Sequence, residues 1–536
     1  MLGVLVITVL TSPFPTIGKK KQRFSCQWNC YYCPNEPGQP RSYLRDEPAV
    51  RRANQNDFDP VLQVVDRASA LSQMGHPVDK IELLVLGGTW ASYPLEYRET
   101  FIRDLFYAAN TFWQKDKRER LSLSEEKNIN ESADTKIIGL TLETRPDCID
   151  AEEVKRFRHY GCTRVQLGIQ HTNDMILKKI NRGCTHADAA RAFQILKDAC
   201  YKIDIHLMPN LPGSNVEIDE AMFYDVLDKE DLQADQWKIY PCEITPWTLI
   251  KTWYEKGEFV PYPEADLFPM LARVKARVHP WIRLNRVVRD IPTQYILGGA
   301  TEKPNLRQDI QASMAKEGKY CRCIRCREVG DDESAAKRAV LKVRRYRSSG
   351  ADEYFFSFET PDEKKICGFV RLRLQDPDKK DLDHPTFPEL TGAALIRELH
   401  VYGQMIATKD VKKDDKDGQT QHMGFGRQLM AAAELEARKR GFNKAAVISG
   451  VGTRNYYRKL GYETEGIGEF TTKLLEPYRS GPPTWMVVLL FVLLLVAVIL
   501  VVVLLVLGLV INGSIDEGSL KAAFTRLSGV GQDAEL

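Results

Sequence analysis

The sequence predicts an α/β protein: a parallel βα barrel, then a separate α+β domain, then a C-terminal transmembrane helix. Three observations carry this. Short apolar runs alternate with amphipathic stretches over residues 1–300, the pattern of repeated βα units. From residue 336 to 480, strand-like runs sit beside one another before a helix intervenes, which marks an α+β arrangement. Trp485 to Ile511 then run without a charge.

The opening MLGVLVITVL has no basic stretch before it and no small-residue cleavage site after it, so it reads as a buried first strand rather than a secretory signal. Its β-branched content and the SPFP break agree with a strand. KIELLVLGG (80–88), KIIGLTLET (136–144), RVQLGIQ (164–170), KIDIHLMP (202–209) and QWKIYP (236–241) are the next expected strands. DPVLQVVDRASALSQMG and ADAARAFQILKDACY are helical in period and lie between them. The charged run 114–135 predicts an exposed loop or insertion, and KKDDKDGQTQ (412–421) a solvated loop. Residues 301–335 form a linker with its own cysteine cluster, and a tail of residues 512–536 follows the apolar run.

Charge is nearly balanced, 75 basic against 72 acidic residues, which argues against a general polyanion-binding surface. Twelve cysteines in 536 residues are too few for a disulfide scaffold, and six of them fall in two tight clusters, the usage of metal sites. The 27 residues from Trp485 to Ile511 would make a helix of about 40 Å, enough to cross a hydrocarbon core of roughly 30 Å with tilt. With only 25 residues after it, the run predicts a tail anchor whose N-terminal bulk faces the cytosol, on the endoplasmic reticulum or the mitochondrial outer membrane.

Cys26, Cys30 and Cys33 are spaced Cys-x3-Cys-x2-Cys after the first strand. Three thiolates bind three irons of a 4Fe–4S cluster and leave the fourth open to chelate S-adenosylmethionine. Taken alone, the spacing leaves three ligands of a zinc site as a competing reading. Downstream, LGGT (86–89) ends a strand with Gly87, Gly88 and Thr89, where backbone approaches a ligand closely, and LETRPD (142–147) offers Glu143 and Arg145 at another strand end. Together these segments resemble the radical S-adenosylmethionine superfamily.

A second signature lies at QHMGFGRQLM (421–430), a glycine-rich turn that opens a helix. Helix N-termini present free N–H groups to phosphate oxygens. The turn follows IRELHVYG (396–403) and precedes VISGVGTRNYYRKLGY (447–462). That order resembles the GCN5-related (GNAT) acetyltransferases, which bind acetyl-CoA, with Tyr456 or Tyr457 as a proton donor or positioning group.

Both signatures in one chain, with HPVDKIELLVLGGTW, YGCTRVQLGIQ, INRGCTH and RVVRDIP between and beside them, resemble the Elongator catalytic-subunit family of tRNA uridine-34 acetyltransferases. The resemblance implies carboxymethylation of the wobble uridine from acetyl-CoA by radical chemistry. It implies Cys26, Cys30 and Cys33 as cluster ligands. By the same resemblance Lys80, Glu398, Leu399, His400 and Val401 contact acetyl-CoA, as do Gly424, Phe425, Gly426, Arg427 and Gln428, and Tyr457. Expected partners are tRNA, Elongator-like subunits, the membrane and a second copy of the chain. The family's basic N-terminal extension does not precede the first strand here: either the sequence is truncated, or tRNA contact relies on patches such as Lys19 to Lys21. Cys321, Cys323 and Cys326 are too compressed for the radical cluster and are expected to hold a structural zinc, with His279 as a candidate fourth ligand. The alternative functions are a protein lysine acetyltransferase of the histone or tubulin type, which needs neither iron nor S-adenosylmethionine, and an inactive membrane scaffold.

Overall fold

The computed structural model describes residues 4–18, 20–299, 305–330, 332–376, 383–403, 424–465, 469–478 and 484–513, with Gly518, Ser519, Lys521, Ala522 and Thr525 beyond. Lys19, the 412–421 loop and Gln421 to Met423 lie outside the described residues. Residues Met1–Glu476 form one compact unit and Pro477–Leu536 another.

Strands β1 (Leu5–Leu10), β2 (Lys80–Leu86), β3 (Lys136–Thr144), β4 (Arg164–Gln170), β5 (Lys202–Leu207), β6 (Gln236–Ile239) and β7 (Arg283–Arg286) pair in that order. Every pairing is parallel. Among the described residues β7 does not bond to β1, so the curl is an open, partial barrel. β4 and β5 are buried along almost their whole length, because a parallel sheet is covered on both faces.

Local chemistry sets the helices between the strands. Asp59 caps α1 (Pro60–Gln73) by accepting from the Leu62 N–H, with Pro60 at the first helical position. α2 (Leu95–Asn110) buries Phe101, Ile102, Leu105 and Phe106. The 114–135 run differs from the expected loop. Ser122 and Glu125 close a reciprocal capping box there and start α3 (Leu123–Asn130), whose Lys127 and Asn130 are buried. Thr185 and Asp188 do the same for α4 (His186–Asp198).

The second sheet contains β8 (Val340–Ser348), β9 (Ala351–Glu359), β10 (Ile366–Gln375), β11 (Ala393–Val401), β12 (Lys444–Val447), β13 (Glu463–Glu465) and β14 (Phe470–Leu474). Their spatial order is β8-β9-β10-β11-β12-β14-β13. All pairings are antiparallel except β11 with β12. That parallel pair is short: Ala393 to Ile396 match Lys444 to Val447, and β11 runs on to Val401 paired with β10 only. The two strands therefore splay. α5 (Phe425–Lys439) packs on β10 and β11, and α6 (Arg454–Arg458) follows β12. One apolar core runs through both sheets, holding Leu395, Ala446, Val451 and Phe470 together with Phe157, Phe193 and Tyr201.

The second unit contains α7 (Thr484–Ile511), 28 residues long. Its described side chains, from Leu489 on, are almost all exposed and apolar.

Candidate active site

A cavity of about 620 Å³ occupies the curl of the first sheet. Cys26, Cys30 and Cys33 line it, and so do Phe369, Arg371, Glu398 and His400 of the second sheet and Tyr402 just after β11.

The cysteine loop is fixed by its neighbours. The Trp28 indole donates to Asp147 at 3.0 Å and lies against Gly183, where a Cβ would come within 2.3 Å of the ring. Arg145 ion-pairs with Asp147 at 2.9 Å and donates to the Arg182 carbonyl at 2.6 Å. Both Arg145 and Arg182 then point a guanidinium N–H at the Cys30 sulphur, each at 3.7 Å. The Arg41 Nε donates to the Cys33 sulphur at 3.4 Å. Burial pushes the Cys33 thiol up, and Arg41 opposes it. Cationic donors aimed at sulphur favour thiolates.

These residues fit a cluster better than a single ion. Four ligands on one zinc at about 2.3 Å bring their sulphurs to within about 4 Å of each other. Among the described residues, the group whose sulphurs gather within 4.8 Å is Cys321, Cys323 and Cys326, not the loop. A three-thiolate cluster site opening on a cavity is what the loop offers.

Of the strand-end residues, Gly88, Thr89, Glu143 and Arg145 line the cavity. Gly88 has φ +102°, and a Cβ there would press on the Arg41 carbonyl at 3.2 Å. Gly87 instead packs on Thr11. Thr89 Oγ1 is 3.6 Å from the Cys26 sulphur. Glu143 accepts from the Tyr43 hydroxyl at 2.7 Å; burial raises its pKa and Lys238 opposes.

Sequence reasoning missed Arg41, Gln170, Arg182, His206 and Lys238, all of which line the cavity. Gln170 ends β4 with φ +68°, unusual outside glycine, and its Oε1 is buried without a partner. His206 Nε2 is likewise buried and unpartnered. Burial, then Lys238, hold His206 well below its ordinary pKa, so the ring is neutral. Both residues lie towards C-terminal strand ends, the signal that singled out Glu143 and Arg145.

A second cavity of about 100 Å³ lies at the splay of β11 and β12, lined by Glu398, Leu399, His400 and Tyr457 among others. Burial opposes ionisation of Glu398, but Arg371, Lys202 and Arg164 outweigh it and hold the carboxyl down at about 2. Burial lowers His400 to about 4. Gly424 caps α5 in the left-handed conformation, φ +74°. Phe425 stacks on Phe358 at 4.4 Å. A Cβ on Gly426 would lie 2.8 Å from the Tyr456 hydroxyl and 3.6 Å from Val401. Arg427 and Gln428 stand at the helix start. Tyr457 is buried, which raises its phenol pKa, whereas Tyr456 is 41% exposed. Lys80 lines neither cavity and ion-pairs with Asp79 at 3.4 Å.

Cys321, Cys323 and Cys326 form the tight group described above. His279 is not part of it. Its ring stacks on Trp281, centroids 4.5 Å apart, and its Nε2 faces the Leu227 carbonyl at 3.1 Å. Stacking on Trp281 and that contact hold the imidazole away from the sulphurs. Gln311 donates to the Cys326 sulphur at 3.0 Å.

Residues 24–224 match the Radical SAM superfamily, and residues 234–316 the Radical SAM C-terminal domain. The tRNA uridine(34) acetyltransferase of Methanocaldococcus infernus is 38% identical over 479 residues, 87% of this chain and 84% of the relative. Elongator complex protein 3 of Drosophila melanogaster is 39% identical over 451 residues, 82% of this chain and 78% of the relative. The chain belongs to the Elongator complex protein 3 family. A solved structure of the Methanocaldococcus infernus Elp3 with an N-terminal deletion superposes with a TM-score of 0.72 at 35% identity, covering 89% of this chain and 100% of that one. The cysteine loop and the first sheet of this Elongator complex protein 3 relative fall largely in the Radical SAM matches, whereas the second sheet lies beyond both.

Proposed function

We propose that this chain is the catalytic enzyme that modifies uridine 34 of tRNA with an acetyl unit, leaving a 5-carboxymethyl group. One observation carries the reading: a single cavity is lined by the three cysteines of the loop and by Glu398 and His400 of the second sheet. Two reactive centres can thus work on one substrate without release. A lysine acetyltransferase has no use for a thiolate loop.

When bound, the cluster and S-adenosylmethionine supply a hydrogen-atom abstractor, which an unactivated acetyl methyl needs before its carbon can join C5 of uracil. Cys26, Cys30 and Cys33 hold the cluster, with Arg41, Arg145 and Arg182 balancing its thiolates. Gly88, Glu143, Gln170 and His206 face the space where S-adenosylmethionine would lie. The second domain, residues 336–480, acts as a GNAT acetyltransferase: the β11–β12 splay takes the pantetheine arm, and the Gly424–Gln428 helix start takes the pyrophosphate. Tyr457 and Tyr456 position the thioester.

Three further assignments belong to this reading. Cys321, Cys323 and Cys326 hold a structural zinc, supported by their mutual approach. α7 anchors the chain in the endoplasmic reticulum or mitochondrial outer membrane, catalytic domains facing the cytosol, supported by its length and exposed apolar surface. Elongator-type subunits assemble with it, as the relatives' name implies.

The test is anaerobic reconstitution with iron and sulfide, followed by incubation with S-adenosylmethionine, acetyl-CoA and tRNA. Mass spectrometry should find 5′-deoxyadenosine and a carboxymethyl group on uridine 34. Fully modified uridine 34 in cells lacking the chain would refute the reading.

A further inference from the structure

We propose that Lys202 binds the carbonyl oxygen of an acetyl thioester in the smaller cavity, turning the acetyl methyl towards the larger one. This rests on the reading that the chain binds acetyl-CoA.

The smaller cavity is made by both sheets. β11 and β12 contribute Ile396 to His400 and Val447; the first sheet contributes Glu82, Gly139, Arg164 and Lys202. At about 100 Å³ it has room for a few waters or a two-carbon acyl group, and none for a nucleotide.

Its charged wall is mostly spoken for. Glu82 pairs with Arg164 at 2.5 Å, and Glu398 with Arg371 at 2.9 Å. His400 is neutral near pH 7. Lys202, the first residue of β5, stands opposite Arg164 in register with it. Among the described residues its ammonium makes no side-chain hydrogen bond and no ion pair; the charges that act on it are Glu398, Arg164, Glu82 and Asp235. Lys202 is therefore the cation in this wall with no paired carboxylate; Arg164 keeps a buried Nε without an acceptor, but its guanidinium is already held by Glu82. Lys202 is half-buried; an ammonium that a bound acyl group shields from water needs an acceptor, and a thioester carbonyl would supply one.

The shape of the wall sets the orientation. Val4, Glu82, Arg164, Glu398 and His400 line both cavities, so one layer of side chains separates them. An acetyl group has one acceptor end and one apolar end. With the oxygen held by Lys202, the methyl faces the shared wall and the cysteine-lined cavity beyond it. The same ammonium would stabilise negative charge on that oxygen when the thioester is later cleaved.

Binding to cluster-free protein by calorimetry tests this without turnover, because free CoA lacks the carbonyl. Wild type should prefer acetyl-CoA over CoA. Lys202→Met should weaken acetyl-CoA about tenfold, the contribution of one charge-assisted hydrogen bond, and leave CoA affinity unchanged. Lys202→Arg should keep most of the preference, and it serves if the methionine variant fails to fold. Unchanged acetyl-CoA affinity in Lys202→Met would overturn the assignment. So would an equal loss for both ligands, which would mean that Lys202 holds a phosphate or supports the splay. Wild type that binds neither ligand would refute the acetyl-CoA reading itself, and this proposal with it.

Discussion

Arg397 of the second sheet donates to both carboxylate oxygens of Asp235 beside the first, at 2.9 and 2.5 Å, with both side chains wholly buried. Glu353 accepts from the same guanidinium at 3.0 and 3.1 Å, and Lys197 stands within 4.0 Å of Asp235. The two sheets are therefore joined by a closed charge network as well as by a shared apolar core. Such a network specifies one docking geometry, because any other would strand a charge in a low-dielectric interior.

Removing one partner should show this. Arg397→Met should cost about 3–5 kcal/mol of unfolding free energy, the penalty of an uncompensated buried charge. Chemical denaturation of wild type and variant side by side reads it; a loss below about 1 kcal/mol would mean that the pair is incidental. The pH dependence has a definite sign. Burial disfavours ionised Asp235, but Arg397, Lys197 and Arg371 outweigh it and hold the carboxyl far below the ordinary range. Its contribution is thus fully present above about pH 4, the unfolded value, and is lost as the pH falls below it. The stability gap between wild type and Asp235→Asn should be constant from pH 7 to 5 and shrink under stronger acid.

Cys30→Ala removes the sulphur that both Arg145 and Arg182 face. The variant should lose bound iron and 5′-deoxyadenosine formation while acetyl-CoA binding stays within about twofold, since the helix start that would take the pyrophosphate belongs to a different element. Normal iron content would exclude Cys30 as a ligand.

Gly426→Asp would set a Cβ 2.8 Å from the Tyr456 hydroxyl and a negative charge at the start of α5. Acetyl-CoA affinity should fall at least about tenfold through repulsion of the pyrophosphate. Tyr457→Phe, which keeps the buried ring, should change turnover more than melting temperature. Unchanged CoA affinity in Gly426→Asp would reduce the glycine turn to a helix cap.

Deletion of residues 485–536 removes the apolar run of α7 and the tail that follows it. The shortened protein should leave the membrane fraction, remain soluble and still modify tRNA in vitro. Protease treatment of intact organelles should digest the catalytic domains of the full chain; their protection would reverse the orientation.

The sequence by itself determined six of the seven strands of the first sheet, since period and β-branched content are local properties: Lys136–Thr144 and Arg164–Gln170 stand where the pattern puts them, whereas the short, polar β7 (Arg283–Arg286) gave no such signal. It also determined the cysteine loop, the strand-end Glu143 and Arg145, and the glycine that caps α5. Only the tertiary structure decided the rest. Arg41, Arg182 and His206 become cavity residues because folding brings distant strand ends and loops together. The charged 114–135 run reads as solvated, yet Glu131 at its end pairs with Arg454 and Arg458 of α6, 323 and 327 residues away. Buried Arg397 looks like any surface arginine until Asp235 is opposite it. Periodicity records which side of an element is apolar; it carries nothing about which distant charge will meet a polar one, and that meeting is what the packing of the two sheets supplies.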